Sequence, residues 1–246
     1  MNYPNVVMGT FVARDNRFVA RCRLVTGEEV VVHVKNTGRG KEVLIEGVSV
    51  ILQYWDNPKR KTKYDLIAVK KQEQWINIDS QIPNRLAYEG MLDGRIQLPH
   101  LQGTIVLLRR EVKYGQSKFD FYFETDQGET GFVEVKGMTL ENERVGAFPD
   151  APTIRGLKHV NELIQAKKIG YYAAVLFMIQ FENVDVATIH RQMQPALADA
   201  IKEAQSVGVE VIAYNCQVNQ GEIQLLSEVP FDLNAPFNDP NNEKRK

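Results

Sequence analysis

The chain is poor in cysteine and histidine. Cys22 and Cys216 stand far apart and outside any CxxC spacing, which argues against a disulfide framework and a zinc-thiolate site. The four histidines are scattered, with no HxH or HExxH. His100 and His190 read as structural. Long apolar runs are also missing. The longest, residues 171–181, is too short to span a bilayer. The first residues lack the basic-then-apolar pattern of a secretion signal, so a cytoplasmic location without a membrane partner is expected. Nucleotide binding of the Walker type is not spelled, because the GxxxxGK[ST] spacing does not occur. The net charge of −1 over 246 residues is small, yet it is unevenly spread. Residues 1–80 hold 13 Lys and Arg against 9 Asp and Glu, and the remainder holds 17 against 22. A basic first module ahead of an acidic second one points toward nucleic acid at the first.

What is present divides the same way. Segments 6–13, 17–24, 29–33, 49–54, 64–70 and 75–78 are rich in Val, Ile and aromatics, with turn residues between them. Such spacing without a helical period predicts a small barrel or sandwich, and about 80 residues is the size of an OB-type barrel. From Ile82-Pro83 the pattern changes. Helices are expected over 84–92, 155–169 and 195–207, and strands over 104–111, 117–123, 131–136, 171–181, 209–218 and 222–227. That order predicts an α/β domain with a central mixed sheet over 81–233. Residues 234–246 form a polar tail. Oligomeric state is open.

The segments 117–123 and 131–136 form a hairpin around the turn 125–129. With the turn centred on Gln127, paired residues sum to 254. Asp120 and Glu134 then stand opposite one another on one face, with Cβ atoms roughly 5 Å apart. Lys136 shares that face by the two-residue alternation, and Phe119, Phe121, Phe123, Val133 and Val135 form the opposite, core face. Adjacent carboxylates repel, and a divalent cation with oxygen ligands, Mg²⁺ or Mn²⁺, relieves that cost. An exposed hairpin also carries Asp, Glu and Lys simply as solvated charge. Glu111-Val112-Lys113 repeats the Glu-x-Lys spelling without a hairpin partner acid. Glu111 is therefore an additional metal-ligand candidate, and Glu89, on the preceding helix, a supporting catalytic acid.

Helix with Glu89, strand, strand with Asp120, then strand with Glu134-Val135-Lys136 resembles the PD-(D/E)xK nuclease core, although Lys118-Phe119 precedes Asp120 in place of Pro. A longer series is more specific: 33–39 (HVKNTGR), 60–62 (RKT), 83–86 (PNRL) with Glu89, 111–115 (EVKYG), 117–120 (SKFD), 134–140 (EVKGMTL), 148–153 (FPDAPT) and 155–159 (RGLKH). In this order the series resembles the sugar fermentation stimulation protein A (SfsA) family, from about Phe11 to Leu233. The resemblance implies an OB-like N-terminal domain, a nuclease-like C-terminal domain and DNA binding with little sequence preference. It also implies a regulatory role in sugar (maltose) metabolism, which a non-catalytic binder that keeps the nuclease fold could fill. The expected catalytic set is Asp120, Glu134, Lys136 and Glu89. The expected metal ligands are Asp120, Glu134 and Glu111.

Two loops are candidates for holding DNA. Lys59, Arg60, Lys61 and Lys63 place four cations in five residues near Tyr54, Trp55 and Tyr64, the mix used on single strands and backbones. The loop 36–41 has glycines that expose N–H groups, with Lys35, Asn36 and Arg39 at hand; a tight barrel turn is the other reading. Arg17 joins the same set. On the helix after the Glu-x-Lys strand, Arg155, Lys158, His159 and Glu162 share a face that could meet phosphate or the attacking water.

Overall fold

Alternation of β-branched and polar residues builds the first domain. The computed structural model describes residues 1–36 and 38–242. Six strands come first: β1 (Val6–Arg14), β2 (Val19–Leu24), β3 (Glu29–Val34), β4 (Ser49–Tyr54), β5 (Tyr64–Lys71) and β6 (Gln74–Asn77). Neighbours pair antiparallel in the order β3-β2-β1-β4-β5-β6, and a parallel pairing of β3 with β5 closes the ring. The result is a closed five-stranded OB barrel, with β6 attached outside the closure. Ala20, Cys22, Val32, Val50, Leu52 and Leu66 fill it without exposure.

The second domain continues with α1 (Ile82–Leu92), β7 (Ile105–Tyr114), β8 (Ser117–Thr125), β9 (Thr130–Met138), β10 (Leu140–Asn142), β11 (Val145–Phe148), α2 (Ile154–Lys168), β12 (Tyr172–Ile179), β13 (Val186–Ile189), α3 (Pro195–Ser206), β14 (Glu210–Asn219) and β15 (Glu222–Val229). Its main sheet has the order β15-β14-β12-β9-β8-β7. β12 runs parallel to both β9 and β14, and the outer pairs are antiparallel, so the sheet is mixed. Strand β12 is buried at every residue because helices cover both faces. Its odd residues face α2 and α3, and its even residues face α1.

Three elements differ from expectation. β10, β11 and β13 form a separate small sheet that periodicity did not announce, because strands of three or four residues are too short to show a period. Strand β7 extends past Glu111, which takes φ 53° within it. Phe119 does not share the face of Phe121 and Phe123. It packs with Phe132 and His159 on the α2 side, whereas Phe121 and Phe123 belong to the α1 side. The physical reason lies in the hairpin. Its register does sum to 254, but the ladder ends at Phe121↔Val133, and β8 turns away from β9 beyond that point.

Candidate metal centre and nucleic-acid interface

The parting of β8 from β9 leaves the Val135 N–H without a backbone acceptor. The Asp120 side chain replaces it, with Oδ2 accepting that N–H at 2.8 Å. Oδ1 accepts from Asn84 Nδ2 on α1 at 2.7 Å. Asp120 and Glu134 are not backbone partners, because the ladder ends one pair earlier, at Phe121↔Val133. Asp120 fills the gap at the strand edge toward α1, while Glu134 points to α2. Glu134 is 2% exposed, and its Oε1 accepts from Lys136 Nζ at 2.5 Å and from His159 Nδ1. Its Oε2 is buried and has no partner among the described residues.

The two carboxyls are tuned in opposite directions. Burial, reinforced by the charge of Glu134, pushes Asp120 up to about 6. Burial also works upward on Glu134, but the hydrogen bonds from His159 and Lys136 outweigh it and hold that carboxyl below its ordinary range. Among the described residues no three His, Cys, Asp or Glu side chains converge as a metal cluster. Two hard carboxylates, one with a spare buried oxygen, fit a cation that keeps part of its water shell. Glu89 is paired with Arg85 at 2.9 Å, so the α1 side chain that reaches Asp120 is Asn84. Glu111, next to Val112 in the β7–β8 register, is exposed and lies 3.9 Å from Lys118.

The expected cations fall into two groups. Lys35 Nζ lies 3.1 Å from Asp65 and 3.2 Å from Asp79, and Arg60 also binds Asp65. Asp65 has no exposure and takes Trp55 Nε1 as well, at 2.9 Å. A buried carboxylate needs such partners, so the charges of Lys35 and Arg60 are committed inside the protein. Arg17, Arg39, Lys59, Lys61, Lys63, Arg155 and Lys158 are exposed. His159, by contrast, is buried against Glu134, with its Nε2 3.4 Å from the Nε of exposed Arg155.

The loop after β3 is an anion-binding nest, already filled. The N–H groups of Arg39 and Gly40 donate to the two oxygens of Asp150 at 2.9 and 3.0 Å. Arg14 holds the loop from below by donating to the carbonyls of Arg17, Asn36, Gly38 and Arg39. Asn36 Oδ1 accepts from Gly38 N, and a Cβ on Gly38 would stand 2.7 Å from Asp150 Oδ2. Thr37 lies outside the described residues, as do residues 243–246 of the polar tail. The phosphate reading of this loop therefore gives way to an internal carboxylate. Between the domains a cleft of 330 Å³ is lined by Arg17, Asn36, Asp150, Thr153 and Gln180. Asn84, Arg14 and Asp150 were the residues that sequence reasoning left without roles. Asn84 and Asp150 stood in quoted motifs, but an amide on a helix and an acid in a proline-rich loop give no periodic signal.

Comparison with known proteins gives a consistent answer. Residues 12–78 match the SfsA N-terminal OB domain, and residues 81–222 match the sugar fermentation stimulation protein RE domain. A sugar fermentation stimulation protein homolog of Enterococcus mundtii is 59% identical over 98% of this chain and 100% of its own length. One of Clostridium acetobutylicum is 46% identical over 92% and 96%. The structure of Pyrococcus furiosus SfsA in complex with Ca²⁺ superimposes with a TM-score of 0.84 at 28% identity, covering 95% of this chain and 98% of that one. With a closed OB barrel, a mixed sheet behind it and these relatives along its whole length, the chain belongs to the sugar fermentation stimulation protein (SfsA) family.

Proposed function

We propose that this protein binds DNA with little sequence preference and holds a divalent cation, Mg²⁺ or Mn²⁺, at Asp120 and Glu134, in a site that hydrolyses phosphodiesters. The observation that carries the reading is the unpartnered, buried Oε2 of Glu134 beside Asp120. Burying a carboxylate oxygen with nothing to bind is costly, and a cation at that oxygen removes the cost. The Ca²⁺ complex of the Pyrococcus furiosus relative supports the same direction. When bound, the cation supplies Lewis-acid polarisation of a phosphoryl oxygen. The chain supplies the rest. Asn84 and the Val135 N–H fix the Asp120 carboxylate. Lys136 and His159 both grip Oε1 of Glu134, so that Oε2 alone is presented. Lys136 orients the attacking water and stabilises charge growing on the phosphate. Glu89 and Glu111 are the supporting acids of this reading, and Glu111 is an outer ligand. The exposed cations hold the backbone through salt-sensitive contacts.

A second reading keeps the DNA binding without the chemistry, as a regulator of sugar (maltose) metabolism. The pairing of Lys136 with Glu134, and of Glu89 with Arg85, favours it, since both groups are engaged rather than free. Incubation with single- and double-stranded DNA plus Mg²⁺ or Mn²⁺, beside Asp120→Ala and Lys136→Ala, separates the two. Hydrolysis reduced about 100-fold or more in both variants is expected. Undiminished cutting by the variants removes the proposed site. Gel retardation without cutting by the parent selects the regulator.

A further inference from the structure

Beyond the metal centre, the first turn of α2 separates two depressions. Thr153 lines the 330 Å³ cleft between the domains, together with Arg17. Its neighbour Ile154 lines an open groove of 760 Å³ with Lys113, Lys118, Arg155, Lys158 and His159. His159 joins this groove to the carboxylates, because its Nδ1 contacts Glu134 while its Nε2 lies 3.4 Å from Arg155 Nε. No acid lines the groove among the described residues. Glu111 and half-buried Glu162 lie 3.9 Å from Lys118 and Lys158 respectively, and ion pairs of that length neutralise little.

Cations alone would suit a duplex or a single strand equally. The apolar side chains set among them discriminate. Ile154 is 86% exposed, the largest value for a large apolar residue among the described residues, and it adjoins Arg155. Phe18 is 52% exposed and follows Arg17 in the chain, the residue that lines the other cleft. Neither side chain offers anything to a phosphate. Both match the face of a base, which a single strand presents freely and a duplex yields only at the cost of unstacking a step.

We propose that the two depressions form one track for a single, unpaired nucleic-acid strand, with its phosphates on Arg17, Lys113, Lys118, Arg155 and Lys158 and its bases against Phe18 and Ile154. The assignment rests on the nucleic-acid reading above and adds the strand form and the contacts.

Fluorescence anisotropy with a labelled oligonucleotide, as a single strand and as a duplex, tests it in chelator so that nothing is cut. The parent should prefer the single strand. Ile154→Ser and Phe18→Ser should each weaken single-strand binding about five-fold or more and leave duplex binding unchanged. Both positions are exposed, and circular dichroism checks that the fold is retained. Lys113→Gln with Lys118→Gln should lower the slope of log K against log salt on the single strand by about 1.4. A parent that prefers duplex, apolar variants that weaken both forms alike, or an unchanged salt slope overturns the track while leaving DNA binding in place. No binding of either form by the parent overturns both.

Discussion

At the scale of single residues, Glu134 and Asp120 are tuned in opposite directions. Glu134 is kept ionised by His159 and Lys136, whereas Asp120 is pushed up to about 6 by burial and by that neighbouring charge. Because the folded chain holds the Asp120 proton more tightly than the unfolded chain, ionisation opposes folding. The carboxyl costs nothing below its unfolded value of 3.8, and the cost is complete above about 6. A cation that binds only the folded, ionised site relieves the cost. Added Ca²⁺ should therefore raise the melting temperature at pH 7.5, and the rise should shrink as pH falls through 6, where protons compete. A scanning fluorimetry series in pH checks this, and an undiminished rise at pH 5 would place the ion elsewhere. Legibility at this scale was uneven. Asp120 and Glu-x-Lys could be read because charges interrupted a hydrophobic alternation. Asn84 was not read, and His159 was read as facing phosphate or water rather than Glu134, since only the packing of α1 and α2 brings them to the carboxylates.

At the scale of elements, helix α2 sets how the site meets its surroundings. Thr153 caps it, with its hydroxyl accepting from Gly156 N at 2.9 Å, and Lys167 and Lys168 lie in its last turn, where the helix dipole favours them. The first turn bears Ile154 and Arg155, and the next bears His159, so the cap also positions the partner of Glu134. Thr153→Ala should destabilise the protein by about 1 kcal/mol in equilibrium denaturation. A change within about 0.3 kcal/mol would mean that Gln194, which bonds both backbone groups of Thr153, holds the turn by itself. The hairpin β8–β9 was readable in register because its aromatic residues alternate and its turn is short. Its parting at Asp120 was not, because a ladder ends where its neighbours pull the strands apart.

At the scale of the whole molecule, polar contacts bolt the two domains together. Asp150 grips the barrel loop, and Lys71 lies 2.6 Å from Glu141. Gln180 donates to Asn77 and to the Asp79 carbonyl. The first residues also leave the barrel, with Tyr3 N donating to the Gly221 carbonyl at the far edge of the main sheet. The cleft between the domains therefore has a defined width, set partly by Asp150. Asp150→Ala should speed hydrogen exchange at the Arg39 and Gly40 amides specifically, with the barrel strands unaffected. Equal exchange in variant and parent would show that Arg14 holds the loop unaided.

The amino-acid order by itself determined the barrel-then-α/β arrangement, the mixed sheet and the identity of the carboxylates and lysine. These follow from local alternation, turn residues and charge placement, which act over a few neighbours. Tertiary structure alone decided which charges are free. Lys35 and Arg60 are engaged by a buried carboxylate, the loop nest is filled by an acid 110 residues away, and one oxygen of Glu134 has no partner among the described residues. Burial and long-range pairing decide such matters, and both depend on packing between segments far apart in the chain.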